Sequence, residues 1–338
     1  MRLRVGLIGL GELWQPRHAP ALRALADRFD VRAICDPVRH RAEQAAADFH
    51  ADAVDGYHVL VEREDIDAVL VLSPQWFREL PILAACESGK AVYCAMGLEL
   101  DPAEADAIKQ RVEGSGIAFM AELPRRHAPA TVRLKELIAT QLGAPRLLFC
   151  HERTPLDQPL SGPACSPSLH PTFRNMVGQV DWCHYVAGTP PTSVIGVMHY
   201  AGKPGGTEDY RMMSLDFSPH GSPGTGATAQ ISCGRYVPAS WHEAIGYRPM
   251  AALQVSCVRG IAFVDLPATL VWFDETGRHQ ESLESERPLG EQLLTQFFRS
   301  VTSLVRRTDD LDDACLALEI VQAARRSHEE GRRIGIGD

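Results

Sequence analysis

The sequence lacks a long hydrophobic run, an excess of basic residues and any paired-cysteine motif. Over 338 residues no segment stays apolar for long enough to span a bilayer. A net charge of -9 at pH 7 argues against nucleic acid and against an anionic membrane surface as partners. The nine cysteines form no C-x-x-C pair and are odd in number, which favours a reduced, cytoplasmic setting.

Two other signals are weak or missing. The N-terminal apolar run is short, contains glycine and soon meets Glu12, so we do not expect a signal peptide. Cys150–Glu152 and Cys183–His184 contain residue types that bind metals, but their spacing does not recur. We therefore expect no metal site.

The remaining composition is that of a globular protein. Hydrophobic residues make up 45% of the chain and charged residues 23%. A chain of this length is long enough for two domains, each with a core of its own.

The most informative stretch is residues 5–14, which read VGLIGLGELW. A β-prone run ends in Gly9 and Gly11, spaced as G-x-G, and a helical pattern follows. Such a loop binds the pyrophosphate of a dinucleotide through backbone N–H groups, so we expect Gly9, Gly11, Glu12 and Leu13 to contact a cofactor. The third glycine of the full G-x-G-x-x-G motif is replaced by Trp14.

The first part of the chain alternates short apolar runs with helical patterns. This alternation predicts an α/β domain, a doubly wound parallel sheet covered on both faces. The predicted strands are residues 4–8, 31–35, 66–72, 91–94 and 117–120.

After about residue 122 longer β segments predominate, which predicts an α+β domain with a mainly antiparallel open sheet. We expect a Rossmann domain at 1–122 and a second domain at 123–338 for substrate and oligomer contacts. The C-terminal helices, within 290–330, are expected to pack back on the first domain. The predicted strands here are residues 147–151, 192–200, 210–217, 227–236, 253–258, 261–265 and 269–274, and a helix is predicted near 177–186.

Asp36 ends the second predicted strand, 25 positions after Gly11. An acid at this place accepts the ribose hydroxyls of NAD and repels the 2′-phosphate of NADP. The alternative is a turn or helix-cap residue before Pro37. Arg39 and Arg41 lie close enough in sequence to leave NADP open.

Five segments together resemble the Gfo/Idh/MocA oxidoreductases, a family named for glucose–fructose oxidoreductase and inositol dehydrogenase. They are the G-x-G start with HAPAL at 18–22, DIDAVLVLSP at 65–74, AACESGKAVYC at 84–94, RRHAPA at 125–130, and LEIVQAARRSHEEGR at 318–332. The resemblance implies a Rossmann domain followed by a six-stranded open sheet. It also implies a small-molecule substrate (a sugar, an inositol or a related polyol) and NAD or NADP. The exposed sheet face favours a homodimer or homotetramer.

The chain departs from the family pattern at the end of two predicted strands. Ser73, Pro74 and Gln75 stand where the family usually has T-P-N, which still allows contact with the cofactor through the backbone. The family's E-K-P is replaced by A-M-G at 95–97. Met96 has no proton to give, unlike the family's lysine, and is expected to pack against the cofactor.

A third departure lies in the helix before Gly188, where the family pattern is D-x-x-x-H-x-x-D. Asp181 matches the last acid, but Gly178 takes the place of the histidine and Arg174 that of the first acid. His184 follows Asp181 by three residues, on about the same helix face. We expect His184 and Asp181 to carry the proton route and Arg174 to bind an anionic substrate group. A structural role for His184 is the alternative.

Two hypotheses follow. The first is an NAD(P)-dependent oxidoreductase that acts on a hydroxylated small molecule by a non-standard proton route. The second is a catalytically silent relative, a ligand-binding or structural subunit. Trp14, the A-M-G segment and the missing acid and histidine favour the second, because the Trp14 ring would project where a pyrophosphate or the helix–sheet contact needs space.

Overall fold

The chain folds into two units, each built around its own β-sheet. The first unit comprises Met1–Pro124 and Glu286–Leu316, and the second comprises Arg125–Ser285 and Ala317–Asp338. The structure, a computed structural model, describes residues 2–73, 77–95, 102–155, 171–200, 208–238, 240–241, 243–244, 251–283, 287–303 and 309–337. Only the backbone is described at 102–103, 154–155, 171–174, 208 and 309.

Strands and helices alternate along the first unit. In chain order they are β1 (Leu3–Ile8), a π-helical turn (Trp14–His18), α1 (Ala19–Ala24), β2 (Phe29–Cys35), α2 (Arg39–Phe49), β3 (Asp52–Ala53), α3 (Tyr57–Val61), β4 (Ala68–Val71), α4 (Leu80–Glu87), β5 (Ala91–Cys94), α5 (Pro102–Ser115) and β6 (Phe119–Ala121). Strands β4 and β5 are buried along their whole length. A central parallel strand is covered on both faces, which is why these segments are continuously apolar in the sequence.

The first sheet has six strands in the order β3-β2-β1-β4-β5-β6. All of its strand pairs are parallel. This is the strand order of a doubly wound dinucleotide-binding fold, in which strands are added first on one side of β1 and then, from β4 onward, on the other. The predicted fold class of this part is confirmed.

The second half of the chain is richer in strands. Its elements are a 3₁₀ turn (Pro124–His127), α6 (Pro129–Leu137), a π-helical turn (Ile138–Leu142), β7 (Pro145–Pro155), α7 (Pro171–Ala187), β8 (Ser193–Tyr200), β9 (Glu208–Asp216), β10 (Thr228–Val237), β11 (Leu253–Cys257), β12 (Ile261–Asp265), β13 (Thr269–Asp274), β14 (Gly277–Ser282), α8 (Leu289–Thr302), α9 (Asp309–Glu330) and β15 (Ile334–Gly335). Helix α8 belongs to the first unit, and α9 crosses the division between the units.

The second sheet has nine strands, in the order β14-β13-β12-β11-β7-β10-β9-β8-β15. Strands β7 and β10 are parallel, and the other pairs are antiparallel. The mainly antiparallel class is confirmed, but the six strands implied by the resemblance are too few. Strand β14 gives no signal in the sequence, because its residues GRHQES are polar throughout and it forms only as a hairpin partner of β13.

The two faces of the second sheet differ in exposure. Along β8, Val194, Gly196 and Met198 are buried, whereas Ile195 and Val197 are 41% and 44% exposed. A Cβ on Gly196 would lie 2.0 Å from the Ala324 carbonyl oxygen, so α9 packs directly on this strand. One face is therefore covered by helix and the other is open.

The helices differ from their predicted bounds mainly at the ends. The helical pattern predicted after the glycine loop forms a π-helical turn followed by α1, which ends at Ala24. Helix α7 extends beyond the predicted residues 177–186 at both ends. Among the helices of the described ranges, none combines the length and the apolar character needed to cross a membrane.

Candidate functional site

A glycine loop follows β1 and lies against the end of β4. Gly9 has a φ of +71°, in the left-handed region that favours glycine, and its N–H donates to the Cys35 carbonyl over 2.8 Å. A Cβ on Gly9 would lie 2.9 Å from the Ser73 Cβ, and one on Gly11 would lie 2.8 Å from the Leu72 carbonyl oxygen. Both positions require glycine because the loop backbone touches the strand end.

The loop presents backbone donors. Within the described part of the chain, no carbonyl accepts the N–H groups of Gly11, Glu12 or Leu13. The Trp14 N–H donates to the Gly11 carbonyl over 3.1 Å and begins the helical segment. Donors in this arrangement, at the start of a helix, suit an anion such as a pyrophosphate.

Asp36 joins the end of β2 to the glycine loop. Its Oδ2 accepts the Leu10 N–H over 2.6 Å, and its Oδ1 accepts the Val38 N–H over 2.8 Å. The residue is 9% exposed. A carboxylate accepts about four hydrogen bonds, so these two leave capacity for ribose hydroxyls. The Val38 bond is also the turn contact of the alternative interpretation.

Trp14 packs into the core of the first unit. It is 5% exposed, and its ring lies 5.6 Å from the Phe49 ring at an interplanar angle of 50°. The π-helical turn starts at this residue, with the Ala19 N–H donating to the Trp14 carbonyl. The ring thus forms part of the helix packing in the first unit. Beside it lies a cavity of about 320 Å³ lined by Leu10, Gly11, Glu12, Trp14, Gln15, Arg41, Gln44, Ala45 and Asp48.

Three residues expected to contact the cofactor, Pro74, Gln75 and Met96, lie outside the described residues. Ser73 is described and fully buried at the end of β4. In the ranges that the structure covers, its Oγ has no hydrogen-bond partner. A buried hydroxyl without a partner is unusual, and this one lies under the glycine loop.

In the second unit, Asp181 is committed to an ion pair. Its carboxylate is 2% exposed and accepts Arg126 Nε over 3.0 Å at both oxygens, and Nη2 also contacts Oδ1. The Arg126 guanidinium lies 5.1 Å from the centre of the Tyr185 ring. The pair fixes α7 to the turn that precedes α6, a role that the sequence did not indicate.

The other two predicted catalytic residues are on the same helix. His184 is partly buried, and its carbonyl accepts the Gly188 N–H over 2.9 Å where the helix ends. The side chain of Arg174 lies outside the described part of the structure.

A polar cluster surrounds Gly178, the position of the family's histidine. A Cβ there would lie 3.9 Å from Arg125 Nε, so the guanidinium of Arg125 lies beside the helix at this point. Arg125 Nη2 donates to Glu152 over 2.9 Å. Glu152 also accepts Asn175 Nδ2 over 2.8 Å and contacts Gln179 Nε2 at 3.5 Å. The Arg125 guanidinium therefore lies beside the position at which the family's histidine is missing, and it is paired with the Glu152 carboxylate.

Sequence reasoning did not assign a role to Glu152. The sequence considers Glu152 only as part of the segment Cys150–Glu152, whose residue spacing does not fit a metal site. An acid that follows a run of apolar residues in a predicted strand was the available signal. The partners of that acid depend on α7 and on Arg125, and the sequence does not bring these elements together.

Comparisons with known proteins agree with this architecture. Residues 3–123 match the family described as "Oxidoreductase family, NAD-binding Rossmann fold". Inositol 2-dehydrogenase 4 of Saccharopolyspora erythraea is 30% identical over 224 residues, 63% of this chain and 63% of that protein. Myo-inositol 2-dehydrogenase of Thermotoga maritima is 26% identical over 347 residues, 98% of each chain. An NAD binding oxidoreductase from Klebsiella pneumoniae superposes with a TM-score of 0.82 at 18% identity, covering 100% of both chains.

The fold and the glycine loop define a protein of the Rossmann class. Residues 3–123 are similar to the NAD-binding Rossmann part of this oxidoreductase family, as the sequence motifs indicated. The chain spans between 42% and 63% of the length of the curated inositol dehydrogenases that it matches at 29–31% identity. Likeness at 18% identity shows the fold alone.

Trp14→Ala tests whether the indole ring is a core residue. Removing a buried tryptophan side chain leaves a cavity, and we expect the free energy of unfolding to fall by about 3–5 kcal/mol. Urea denaturation followed by circular dichroism measures this value. Trp241→Ala is the matched control, because Trp241 is 62% exposed and should change stability little. Equal, small effects of the two substitutions would contradict the packing described above.

Proposed function

We propose that this protein is an NAD(P)-dependent oxidoreductase acting on a hydroxylated small molecule such as a sugar or a polyol. The observation that carries the proposal is the glycine loop. Gly9 and Gly11 lie on the end of β4, and the neighbouring N–H groups have no backbone acceptor in the described residues. A loop that served only the fold would not need two glycines and three available donors at one strand end.

The residues present fit a dinucleotide. Gly9, Gly11, Glu12 and Leu13 would hold the pyrophosphate through backbone N–H groups, and Asp36 would hold a ribose. Ser73, whose buried Oγ has no hydrogen-bond partner among the described residues, adds a polar group under the loop. Pro74, Gln75 and Met96 complete the expected contacts as predictions from the sequence.

NAD is the cofactor that Asp36 favours, since an acid repels a 2′-phosphate. NADP is the alternative cofactor, because two arginines on α2 lie near Asp36 and arginine can bind a 2′-phosphate. Arg39 is engaged with Glu43 over 2.8 Å. Arg41 lines the cavity beside the glycine loop.

A nicotinamide cofactor supplies hydride transfer when it is bound, and the protein must manage the proton of the reacting hydroxyl. His184, Asp181 and Arg174 are the candidates that the sequence offers. The geometry favours Glu152 for the proton, because its carboxylate is 30% exposed and fixed by Arg125, whereas Asp181 is already ion-paired and buried. Arg174 remains a candidate for binding an anionic group.

Several relatives are named inositol 2-dehydrogenases, which supports a cyclic polyol as the substrate class. On this proposal residues 1–122 hold the dinucleotide and residues 123–338 hold the substrate. The helices within 290–330 would support the first domain. A cytoplasmic location, with no nucleic-acid or membrane partner, stays a prediction of the sequence.

Cofactor titration separates the oxidoreductase from a silent relative. We expect NADH or NADPH to bind with a Kd below about 100 µM, measured by nicotinamide fluorescence. Gly11→Val should weaken binding by at least about tenfold, because its side chain would meet the Leu72 carbonyl. Gly114→Ala, on α5 with nothing within 4 Å of the added Cβ, is the matched control. If neither cofactor binds to the wild type at about 1 mM, the silent-relative hypothesis replaces this one.

Glu152→Gln tests the proton route. With NAD⁺ or NADP⁺ and a panel of myo-inositol, scyllo-inositol and D-glucose, we expect kcat to fall by about a hundredfold or more. The Kd for NADH should not change. Glu136→Gln is the control, because Glu136 is 57% exposed and pairs only with Arg133 at the surface among the contacts of the described residues. If Glu152→Gln keeps the wild-type kcat, Glu152 does not handle the proton, and His184 or Asp181 is the candidate instead.

Homodimers or homotetramers through the second sheet stay a proposal, supported by its open face. Four apolar residues on this face are 39–45% exposed, and exposed apolar side chains on one sheet face suit a partner: Leu147, Ile195, Val197 and Phe273. We expect Val197→Asp to lower the mass measured by light scattering to that of a monomer. Val59→Asp, at a residue 57% exposed in the first unit, should leave the mass unchanged. The same mass for wild type and Val197→Asp would exclude this face as the interface.

A further inference from the structure

A buried group of polar side chains lies at the ends of β5 and β6 in the first unit. It consists of Arg17, His18, Tyr93 and Glu122, and we call it the Glu122 cluster. The side chains of His18 and Glu122 are each 1% exposed, and that of Arg17 is 22% exposed. Tyr93 is fully buried. None of these residues has a place in the function proposed above.

Glu122 is the centre of the cluster. Its Oε1 contacts Arg17 Nη1, and its Oε2 accepts the Tyr93 hydroxyl over 3.0 Å. Its backbone N–H donates to the Cys94 carbonyl over 2.9 Å. One residue at the end of β6 therefore holds both the helical segment after the glycine loop and the end of β5.

Within the Glu122 cluster, the charge of the carboxylate is paired with that of Arg17. Burial, with the Arg17 charge nearby, lowers the pKa of His18 to about 3, so the ring is neutral although its Nε2 lies 3.7 Å from Glu122 Oε2. Burial beside Glu122 raises the pKa of Tyr93 well above its usual value, so the phenol keeps its proton and donates it. Among these four side chains, Arg17 is therefore the cation that compensates the buried Glu122 carboxylate. Removing either partner of such a pair leaves an uncompensated charge.

The position of Arg17 in the chain connects the Arg17–Glu122 pair to the glycine loop. Arg17 belongs to the π-helical turn that starts at Trp14, three residues after Gly11. The Arg17 and His18 N–H groups both donate to the Leu13 carbonyl over 3.1 Å. A displacement of Arg17 therefore acts, through the Leu13 carbonyl, on a residue of the glycine loop whose own N–H has no backbone acceptor among the described residues.

From these contacts we infer that Glu122 is a positioning residue for dinucleotide binding, acting through Arg17 on the N–H groups of Gly11, Glu12 and Leu13. The inference rests on the proposed function, because it requires that a dinucleotide binds to this loop. N–H groups that are already held in place lose less conformational entropy when the dinucleotide binds. Loss of the Arg17–Glu122 pair therefore weakens the affinity for the dinucleotide. Glu122 itself need not touch the cofactor.

A second ion pair in the same unit provides a control for simple loss of stability. Arg4 Nε donates to Asp67 Oδ2 over 3.0 Å, and Arg4 Nη2 donates to Oδ1 over 2.6 Å. This pair joins β1 to the residue before β4, at the amino ends of the strands. It is far along the strands from the glycine loop, which follows their carboxyl ends. Asp67→Asn therefore breaks another ion pair of this unit, with side chains 39% and 32% exposed, without touching the loop anchor.

The experiment measures the Kd for NADH and for NADPH by nicotinamide fluorescence, at a temperature where circular dichroism shows each variant folded. We expect Glu122→Gln to raise the Kd of the bound cofactor about tenfold or more, and Asp67→Asn less than about twofold. Arg17→Gln removes the other, more exposed partner and should raise the Kd in the same way, which covers the case in which Glu122→Gln does not fold.

The outcomes are distinct. A Kd within twofold of the wild-type value in Glu122→Gln, or in Arg17→Gln where the first variant is unfolded, overturns the inference and leaves the proposed function standing. An equal rise in Asp67→Asn also overturns it, since the effect would then follow stability alone. A wild type that binds neither cofactor overturns the proposed function, and the inference with it.

Discussion

The contact between the glycine loop and the end of β4 is the constraint on which the first unit depends. Gly9 and Gly11 lie so close to Leu72 and Ser73 that any side chain would force the backbone away. Asp36 then fastens the loop from the other side, through the Leu10 N–H. The loop is held between the two strands that flank β1, where the strand order reverses. This place at the carboxyl ends of a parallel sheet is where such folds bind ligands.

Trp14 shows how a motif position can change while the loop stays intact. The third glycine of the motif serves close packing between helix and sheet. Here a π-helical turn begins at Trp14, and the indole ring packs against Phe49 on α2. The wider turn also carries Arg17 to Glu122, so the substitution and the buried ion pair belong to one local arrangement. Packing of the Trp14 ring against Phe49 therefore takes the place of the close helix–sheet contact that the motif glycine allows.

The sequence predicted those features that follow from local pattern. Apolar runs identified every strand of the first sheet except β3, whose two residues, Asp52 and Ala53, are exposed. The family motifs indicated both domains. Strand β14 and the π-helical turn escaped prediction because their conformation comes from a neighbouring strand and from packing. The pairing of Asp181 with Arg126, 55 residues apart, is likewise tertiary information, so the sequence could name Asp181 without finding its partner.

Two ion pairs in the second unit, Arg126–Asp181 and Arg125–Glu152, differ in their exposure to water. Arg126 and Asp181 have side chains 10% and 2% exposed, and a pair so buried serves to fix α7 in place. Arg125 and Glu152 are 24% and 30% exposed and lie beside Gly178, where a side chain is absent. A purely structural pair gains little from remaining open to water, because solvent screens the attraction. A carboxylate that must exchange a proton needs that access, together with donors that hold its orientation. Glu152 has both, whereas Asp181 has only the second.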